Sequence, residues 1–234
     1  MDDPRGVIES EETLRPIGTL ASSVYEQLRT DILKGRFEPG SKLRLQHLGE
    51  QYHVGNSPLR EALNRLSSNG LVTREENKGF RVSTASIAEL EELLLTRCML
   101  EETALRQSVE FGDAEWEERV VLTYHRLSRL EEGANKDTTH RTPEWEAAHR
   151  DYHLALLSAC GTNILLDFCR QLQEQTLRYR SLVEVVKYRD IHECSEHRKI
   201  QEAVLDRDVE RAVSMLHAHY SVTLEIIKSS DALS

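Results

Sequence analysis

Long apolar runs and paired cysteines are both missing from this sequence, and each absence excludes a class of protein. No stretch approaches the roughly 18 apolar residues that a membrane-spanning helix requires, and no signal peptide opens the chain. The cysteines form no Cys-x-x-Cys pair; they are Cys98, Cys160, Cys169 and Cys194. Their spacing favours buried thiols in a reducing cytosol over a disulfide framework. We therefore expect a cytoplasmic protein with no membrane partner.

Recognisable catalytic signatures are missing as well. There is no Gly-x-Ser-x-Gly motif, no glycine-rich phosphate loop and no Cys/His pair of catalytic form. His149 and His153 resemble the two histidines of a His-Glu-x-x-His zinc hydrolase, but Arg150 stands where that motif carries its carboxylate base. We expect no enzymatic activity, with a metalloenzyme left open as an alternative.

Charge is divided unevenly along the 234 residues, whose net charge is −10. Residues 21–84 contain ten Lys and Arg against seven Asp and Glu, whereas residues 85–234 contain 18 against 28. Residues 1–20 are acidic and polar, which predicts a flexible tail. The division suits a basic duplex-binding domain at 21–84 on an acidic domain at 85–234, although three charges also arise by chance.

The basic region begins with a helix predicted at Ala21–Lys34, and Leu45–Val82 then predicts a helix, a tight turn, a second helix and a β-hairpin. Leu45, Leu48 and Tyr52 are spaced as one face of a short helix. Ser57 suits the N-cap of the second helix, with Pro58 at its first position, and Asn69-Gly70 ends it. Two short β-rich runs follow, at Leu71–Arg74 and Phe80–Ser83, and Gly79 in their turn can adopt positive φ.

The second of these helices has a polar face that suits DNA. Arg60, Asn64 and Ser67 lie opposite the apolar stripe, which consists of Leu59, Ala62, Leu63 and Leu66. Arg60 would fall in the first turn, where the helix dipole disfavours a cation by a few tenths of a kcal/mol. Arg and Asn projecting from the start of a helix fit the major groove, whereas a solvated polar face is the alternative.

Residues 85–234 read as helical throughout, since nothing after Ser83 has the pattern of a strand. The spacing predicts six helices in an antiparallel bundle, so the fold class is mainly α. Thr84 or Ser86 caps the first, whose apolar face comprises Ile87, Leu90, Leu93, Leu94, Met99 and Leu105. The first helix is predicted to run to Phe111, and Gly112-Asp113 separates it from a second that runs through Glu132. The other four are predicted at Pro143–Cys160, Asn163–Val186, Ile191–Arg207 and Asp208–Lys228.

Four histidines on three of these helices form a candidate metal site. His149 and His153 are four residues apart, about 40° apart on one helix face, while Asp151 points away from both. His197 and His219 lie on the last two helices. Imidazoles that meet inside a bundle can bind a divalent metal, but surface or hydrogen-bonded histidines would give the same spacing.

The region Val54–Val72 resembles the winged helix-turn-helix of the GntR family of bacterial transcription regulators. The shared motif is Ser57-Pro58-Leu59-Arg60-Glu61-Ala62-Leu63, followed by Gly70-Leu71-Val72. Gly55 and Asn56 depart from the usual pattern, and Asn56 replaces a typical Arg. The resemblance implies a DNA-binding transcription regulator, with DNA contacts from Arg44, Gln46, Asn56, Ser57, Arg60, Asn64, Lys78 and Arg81.

Residues 85–228 resemble the FCD effector domain of the FadR subfamily of these regulators. Metal-binding members hold a divalent cation with an Asp-x-x-x-His pair and two later histidines. These positions fall on His149 in place of Asp, His153, His197 and His219. The resemblance implies zinc, with nickel or manganese as alternatives, beside an effector held by Arg97, Tyr152 and Arg178, or by Arg180.

The histidine pattern and Ala159-Cys160-Gly161 are also similar to the carbon-starvation-induced repressors of this family, which implies a small carboxylate effector such as the dicarboxylate glutarate. The resemblance thus predicts a homodimeric repressor on nucleoid DNA that reads a near-palindromic operator and responds to an organic acid. The alternative left open is an effector-independent DNA-binding protein with structural histidines.

Overall fold

The computed structural model describes residues 19–76, 78–133, 142–183 and 192–229. Three predicted features fall outside these residues. They are the tail up to residue 18, the loop before Pro143 except for its end residues, and the end of the predicted helix at Val186. Within them the chain is mainly helical with one small sheet, so the predicted fold class is confirmed. We call the described residues up to Thr84 the head and those from Ala85 the body.

The head contains three helices and a three-stranded antiparallel sheet. Its elements are α1 (Leu20–Leu33), β1 (Lys42–Leu43), α2 (Leu45–Tyr52), α3 (Asn56–Ser68), β2 (Val72–Glu75) and β3 (Gly79–Val82). Strand β3 lies in the centre, with β2 and β1 on either side. The sequence predicted the β2–β3 hairpin but missed β1, because two residues are too few to show an alternating pattern.

Helix α3 begins earlier than the sequence predicted. Its N-cap is Gly55, which makes no side-chain capping bond, and Asn56 is the first helical residue. Ser57 is therefore inside the helix, and Pro58 is its third residue, still within the first turn where no intrahelical donor is lost. Arg60 becomes the fifth residue, so the predicted dipole cost in the first turn does not apply.

The body is a bundle whose described helices number six, as predicted. They are α4 (Ile87–Phe111), α5 (Ala114–Gly133), α6 (Pro143–Leu157), α7 (Asn163–Val183), α8 (His192–Leu205) and α9 (Val209–Lys228). Ser86, Thr142 and Asp208 cap α4, α6 and α9 by accepting from backbone N–H groups. Helix α6 ends three residues before the predicted Cys160. None of the described helices is long and apolar enough to cross a bilayer.

Apolar stripes account for the packing of the bundle, with one exception. Leu90, Leu94 and Leu105 of α4 are buried in a single core with residues of the other body helices. Met99 was predicted to share this face but is exposed, as is Leu95 one turn earlier. Residue 99 lies about 150° around the helix axis from the buried Leu90, Leu94 and Leu105, so its side chain faces away from the core.

Helix α7 joins the body to the head. Gln171 Nε2 donates to Ser68 O over 3.2 Å, and Arg178 Nη1 donates to Gly70 O over 2.7 Å. Gly70 has a φ of +71°, and a Cβ there would lie 3.1 Å from Gln175 Cγ. The C-terminal end of α3 thus rests directly on α7.

Candidate metal site, effector cavity and DNA-binding face

The four predicted histidines meet inside the body. His149 and His153 come from α6, His197 from α8 and His219 from α9, and all four are buried. One ring nitrogen of each lies within 4.8 Å of those of the other three. Their ring centroids are 4.4 to 6.0 Å apart. This spacing suits a common metal ion, since zinc–nitrogen bonds are about 2.0–2.1 Å long.

Three of the histidines have hydrogen-bond acceptors beside their outer nitrogens. His197 Nδ1 is 3.1 Å from Glu131 Oε1, and His219 Nδ1 is 2.9 Å from Glu196 Oε2. His153 Nδ1 is 3.5 Å from the Tyr220 hydroxyl, which donates to Glu101. An acceptor at Nδ1 holds the proton there and leaves Nε2 with a free lone pair, the arrangement that metal-ligating histidines use.

The inner nitrogens of two histidines lack any partner in the described residues. His153 Nε2 and His197 Nε2 are buried and make no hydrogen bond there. A buried polar atom without a partner costs about 1–3 kcal/mol, so such atoms call for a bound ion, ligand or water molecule. The residues present therefore fit a divalent metal.

His149 differs from the other three. Its Nδ1 lies 3.3 Å from Arg180 Nη1, and a guanidinium only donates hydrogen bonds. Nδ1 must therefore accept, which leaves the proton of a neutral ring on Nε2. While Arg180 keeps this contact, a neutral His149 has no free lone pair on either ring nitrogen, so it can ligate a metal only if Arg180 turns away.

Burial keeps the paired histidines of α6 in the form that binds metal. Burial lowers the pKa of His149 well below its usual value, and the positive Arg180 and the other imidazoles lower it further. Burial likewise lowers the pKa of His153, with added repulsion from His219 and His197. Both rings are therefore neutral at pH 7, as a metal ligand must be.

A small polar cavity adjoins the cluster. Its free space is about 10 Å³, room for one water molecule. Gln173 in its wall is 6% exposed, and neither its amide nitrogen nor its amide oxygen has a hydrogen-bond partner in the described residues. The lining residues are Arg97, Glu146, His149, Arg150, His153, Gln173, Glu174, Leu177 and Arg180.

The three guanidinium groups of the cavity wall are each paired with a carboxylate. Arg97 Nε is 2.9 Å from Glu101 Oε1. Arg150 Nη1 is 3.1 Å from Glu174 Oε1. Arg180 Nη2 is 2.7 Å from Glu146 Oε2. These pairs neutralise one another, so a bound divalent metal would supply the net positive charge that attracts an anion.

The structure places the three predicted effector residues differently. Arg97 lines the cavity as predicted, already paired with Glu101. Tyr152 is fully buried behind the cluster, and its hydroxyl donates to His197 O over 2.8 Å. Arg178 is not in the cavity wall; it contacts Gly70 O and, over 3.0 Å, Glu89 Oε1. Its neighbour Arg180, two residues along α7, lines the cavity instead.

Residues that sequence reasoning missed include Glu146, Arg150 and Gln173. Glu146 and Arg150 follow the helical stripe of the histidine pair, three residues before His149 and three before His153. That spacing could have identified them. Gln173 gave no such signal, since its position depends on how α7 packs against α4 and α6.

The predicted DNA-binding residues lie in the head. Asn56, Ser57, Arg60 and Asn64 are exposed along α3, and Arg44 and Gln46 are exposed at the start of α2. Lys78 is exposed beside the wing turn. The Arg81 guanidinium is 3.0 Å from Glu75 Oε1 and donates to Gly40 O over 3.1 Å, so it also ties β3 to its neighbours.

Two family models match the chain. Residues 20–82 match that of the bacterial regulatory proteins of the gntR family, and residues 92–222 match that of the FCD domain. The chain is 43% identical over 166 residues to the uncharacterized HTH-type transcriptional regulator BphR of Paraburkholderia xenovorans, covering 71% of this chain and 68% of that protein. It is 35% identical over 158 residues to the HTH-type transcriptional repressor GlaR of Escherichia coli, covering 68% and 71%.

Solved structures share the whole architecture. The structure of E. coli McbR/YncC aligns with a TM-score of 0.71 and 20% identity, over 91% of this chain and 98% of that one. A GntR regulator from Rhodococcus sp. RHA1, described as a putative transcriptional regulator, aligns with a TM-score of 0.70 and 19% identity, over 90% and 98%. At these identities the likeness shows the fold.

Proposed function

This chain belongs to the GntR family of bacterial regulators and carries an FCD effector domain, and from that premise we propose that it is a metal-dependent, acid-responsive repressor. It is a DNA-binding transcriptional regulator rather than an enzyme. In this proposal residues 21–84 read the operator and residues 85–234 bind the effector. It acts in the bacterial cytosol on nucleoid DNA.

The observation that carries the proposal is the buried cluster of four imidazoles with two unpartnered inner nitrogens. His153, His197 and His219 would hold a divalent cation, most simply zinc, since their outer nitrogens already face acceptors. His149 completes the set once Arg180 releases its Nδ1. A bound cation polarises and attracts an anionic oxygen; nickel and manganese are the alternatives to zinc.

The effector in this proposal is a small carboxylate, for example a dicarboxylate of the size of glutarate. Its carboxylate would lie beside the metal and compete for the guanidinium groups of Arg97 and Arg180. Gln173 offers one donor and one acceptor that such a ligand, or its bound water, would satisfy. GlaR, which is named a repressor, supports the same sign of regulation here.

On the DNA side, α3 is proposed to enter the major groove. Arg60 and Asn64 are exposed on its outer face, and Asn56 and Ser57 stand at its N-terminal end. Arg44, Gln46 and Lys78 would contact phosphates or base edges next to it. The Arg81 guanidinium would have to bind a phosphate and the Glu75 carboxylate at the same time.

A homodimer would place two heads on a near-palindromic operator. Exposed apolar side chains support an interface on the body: Leu95 and Met99 are one turn apart on α4, and Ile164 and Phe168 are one turn apart on α7. Helices α4 and α7 pack against each other, so both pairs can contribute to one surface.

Metal analysis of the purified protein tests the sensing half of the proposal. Native mass spectrometry should find one divalent cation per chain, and the double variant His197→Ala/His219→Ala should lose it. His149→Ala should retain a weaker site, because its Nδ1 faces a donor. His217→Ala changes a half-buried histidine of the same helix that lies outside the cluster; it is the matched control and should keep the metal. Unchanged metal content in the double variant would show that the ligand set is wrong.

Addition of zinc in excess gives the same test in solution. At 100 times its dissociation constant, a ligand that binds only the folded state stabilises it by about 2.7 kcal/mol. Zinc should therefore raise the melting temperature of the wild type and His217→Ala but not of the double variant.

Glutarate, added to zinc-loaded protein on a duplex selected from a random library, should then weaken DNA binding. If glutarate has no effect, this effector assignment is wrong.

A further inference from the structure

Helix α7 contacts the cavity on one side and the head on the other. Gln173, Leu177 and Arg180 line the cavity, whereas Gln171 and Arg178 hydrogen-bond the end of α3. A rigid helix with these two sets of contacts can pass a displacement from the cavity to the head. One residue of α7 belongs to both sets.

That residue is Glu174, whose carboxylate is divided between head and body. Its Oε2 accepts from Arg29 of α1 over 2.8 Å and 3.2 Å, from Nη2 and Nε. Its Oε1 accepts from Arg150 of α6 over 3.1 Å. The side chains of Arg29 and Glu174 are each 15% exposed, so solvent screens this pair less than an open surface pair.

The cavity cannot accept an organic acid without movement of this wall. Its free space of about 10 Å³ holds one water molecule, and a dicarboxylate is several times larger. An entering carboxylate also competes with Glu174 for the guanidinium of Arg150, since both bind it by charge-assisted hydrogen bonds. Ligand entry therefore acts on the Arg150–Glu174 contact in two ways, by size and by charge.

The other partner of Glu174 is firmly connected to the DNA-reading helix. Arg29 lies in α1, and Tyr25 one turn earlier accepts a 2.7 Å hydrogen bond from Asn69 at the end of α3. The Arg65 guanidinium of α3 lies 4.1 Å from the centroid of the Tyr25 ring. Leu28 packs in the same core as Leu59. A change at Arg29 is thus transmitted to α3 through packed contacts.

We propose that Glu174 is the positioning residue that couples the cavity to the head, through the chain Arg150–Glu174–Arg29. This inference rests on the proposed function for its biological meaning, since the effector is the ligand that would disturb Arg150. The arrangement in the structure, with the cavity closed and Glu174 bound to both cations, is the state that holds the heads for DNA. Loss of the Arg150 contact loosens α1.

Amide hydrogen exchange tests the coupling without any ligand or DNA. Arg150→Met removes the contact on the body side and should raise exchange in α1 by about fivefold, the lower end of usual coupling factors. Glu174→Gln and Arg29→Gln should do the same. In a Glu174→Gln background, Arg150→Met should add nothing. Arg106→Met removes the same charge from a body pair formed with Glu102 and should leave α1 unchanged.

Operator affinity provides the second readout, on a duplex that the wild type selects from a random library. Arg150→Met should weaken operator binding about fivefold or more in the wild-type background. In the Glu174→Gln background the same substitution should cause no further loss of affinity. The coupling is overturned if Arg150→Met behaves like Arg106→Met in both assays, or if its effect persists with Glu174→Gln. Failure to select any duplex would instead refute the DNA-binding proposal, and hydrogen exchange would still decide the coupling. Thermal midpoints identify a variant that has unfolded.

Discussion

The head and the body of this protein are stabilised by different kinds of interior. The head buries almost only apolar side chains, and the buried polar residues in its described part are Asp31 and Ser83. The body buries three charged residues, Arg97, Glu101 and Arg178, together with the four histidines and several amides and hydroxyls. A buried polar group must be paired to be tolerated. The interior of the head is therefore held by apolar packing, whereas the interior of the body also depends on pairing between its polar groups.

The largest predicted effect comes from breaking the buried ion pair of the body. Burial alone lowers the pKa of Arg97, but the Glu101 carboxylate outweighs it and raises that pKa, so Arg97 stays charged. Glu101→Leu should destabilise the protein by about 3–5 kcal/mol, because it leaves this charge without its partner. Denaturant unfolding followed by circular dichroism measures the loss.

The double variant Arg97→Met/Glu101→Leu is the control for that prediction. It removes both charges and should recover most of the lost stability, since a well-packed apolar pair of similar size often matches a buried ion pair. If the double variant is as unstable as the single one, then packing rather than an unpaired charge explains the loss. The interior of the body would then depend on apolar packing in the same way as that of the head.

A cavity in the head core should have the next largest effect. Leu63 of α3 is fully buried among Leu28, Leu59 and Leu66. Leu63→Ala should cost about 2–5 kcal/mol, through lost apolar burial and the cavity that remains. Because Leu63 has no polar partner, no second substitution can restore this lost stability in the way that Arg97→Met is expected to restore it in Glu101→Leu. A destabilisation below about 1 kcal/mol, measured by the same denaturant assay, would contradict the assigned core.

The smallest effect is expected at the exposed face of the head. Arg60 has no partner role in the head core, so Arg60→Ala should leave unfolding unchanged while it weakens specific DNA binding by about 1–3 kcal/mol. Titration of a fluorescent duplex at fixed salt measures this. Lys78→Ala is the matched control, because a phosphate contact should weaken binding to all sequences alike. Equal losses on specific and nonspecific duplexes for both variants would mean that Arg60 does not read a base.

The sequence carried more information about the helices than about their ends and contacts. Apolar stripes with Ser86 and Asp208 caps predicted α4 and α9 almost to the residue. The start of α3 was wrong because Ser57-Pro58 is a good local cap signal, yet Gly55 provides the extended backbone that precedes the helix. Local preferences of similar strength compete at such ends, and tertiary packing decides between them.

The histidine cluster was predictable from the sequence, but the charge balance around it was not. The i, i+4 pair of His149 and His153, together with the family resemblance, predicted the cluster. The prediction that Arg97 holds an effector did not include its pairing with Glu101, and Arg178 was predicted to bind the effector although it contacts the head. The contact of Arg178 depends on the rotation of α7 about its own axis, which helical periodicity alone does not define. The pair of Arg97 and Glu101 lies within α4, four residues apart, and that spacing could have identified it.

Gly70 gives the junction a consequence for how the protein can vary. Its backbone φ of +71° disfavours any side chain, and a Cβ would come within 3.1 Å of Gln175 on α7. Replacement of this glycine by a residue with a side chain therefore strains the turn and presses on Gln175 of α7 at the same time. Under the proposed function, a genetic screen for loss of repression should recover replacements of this glycine.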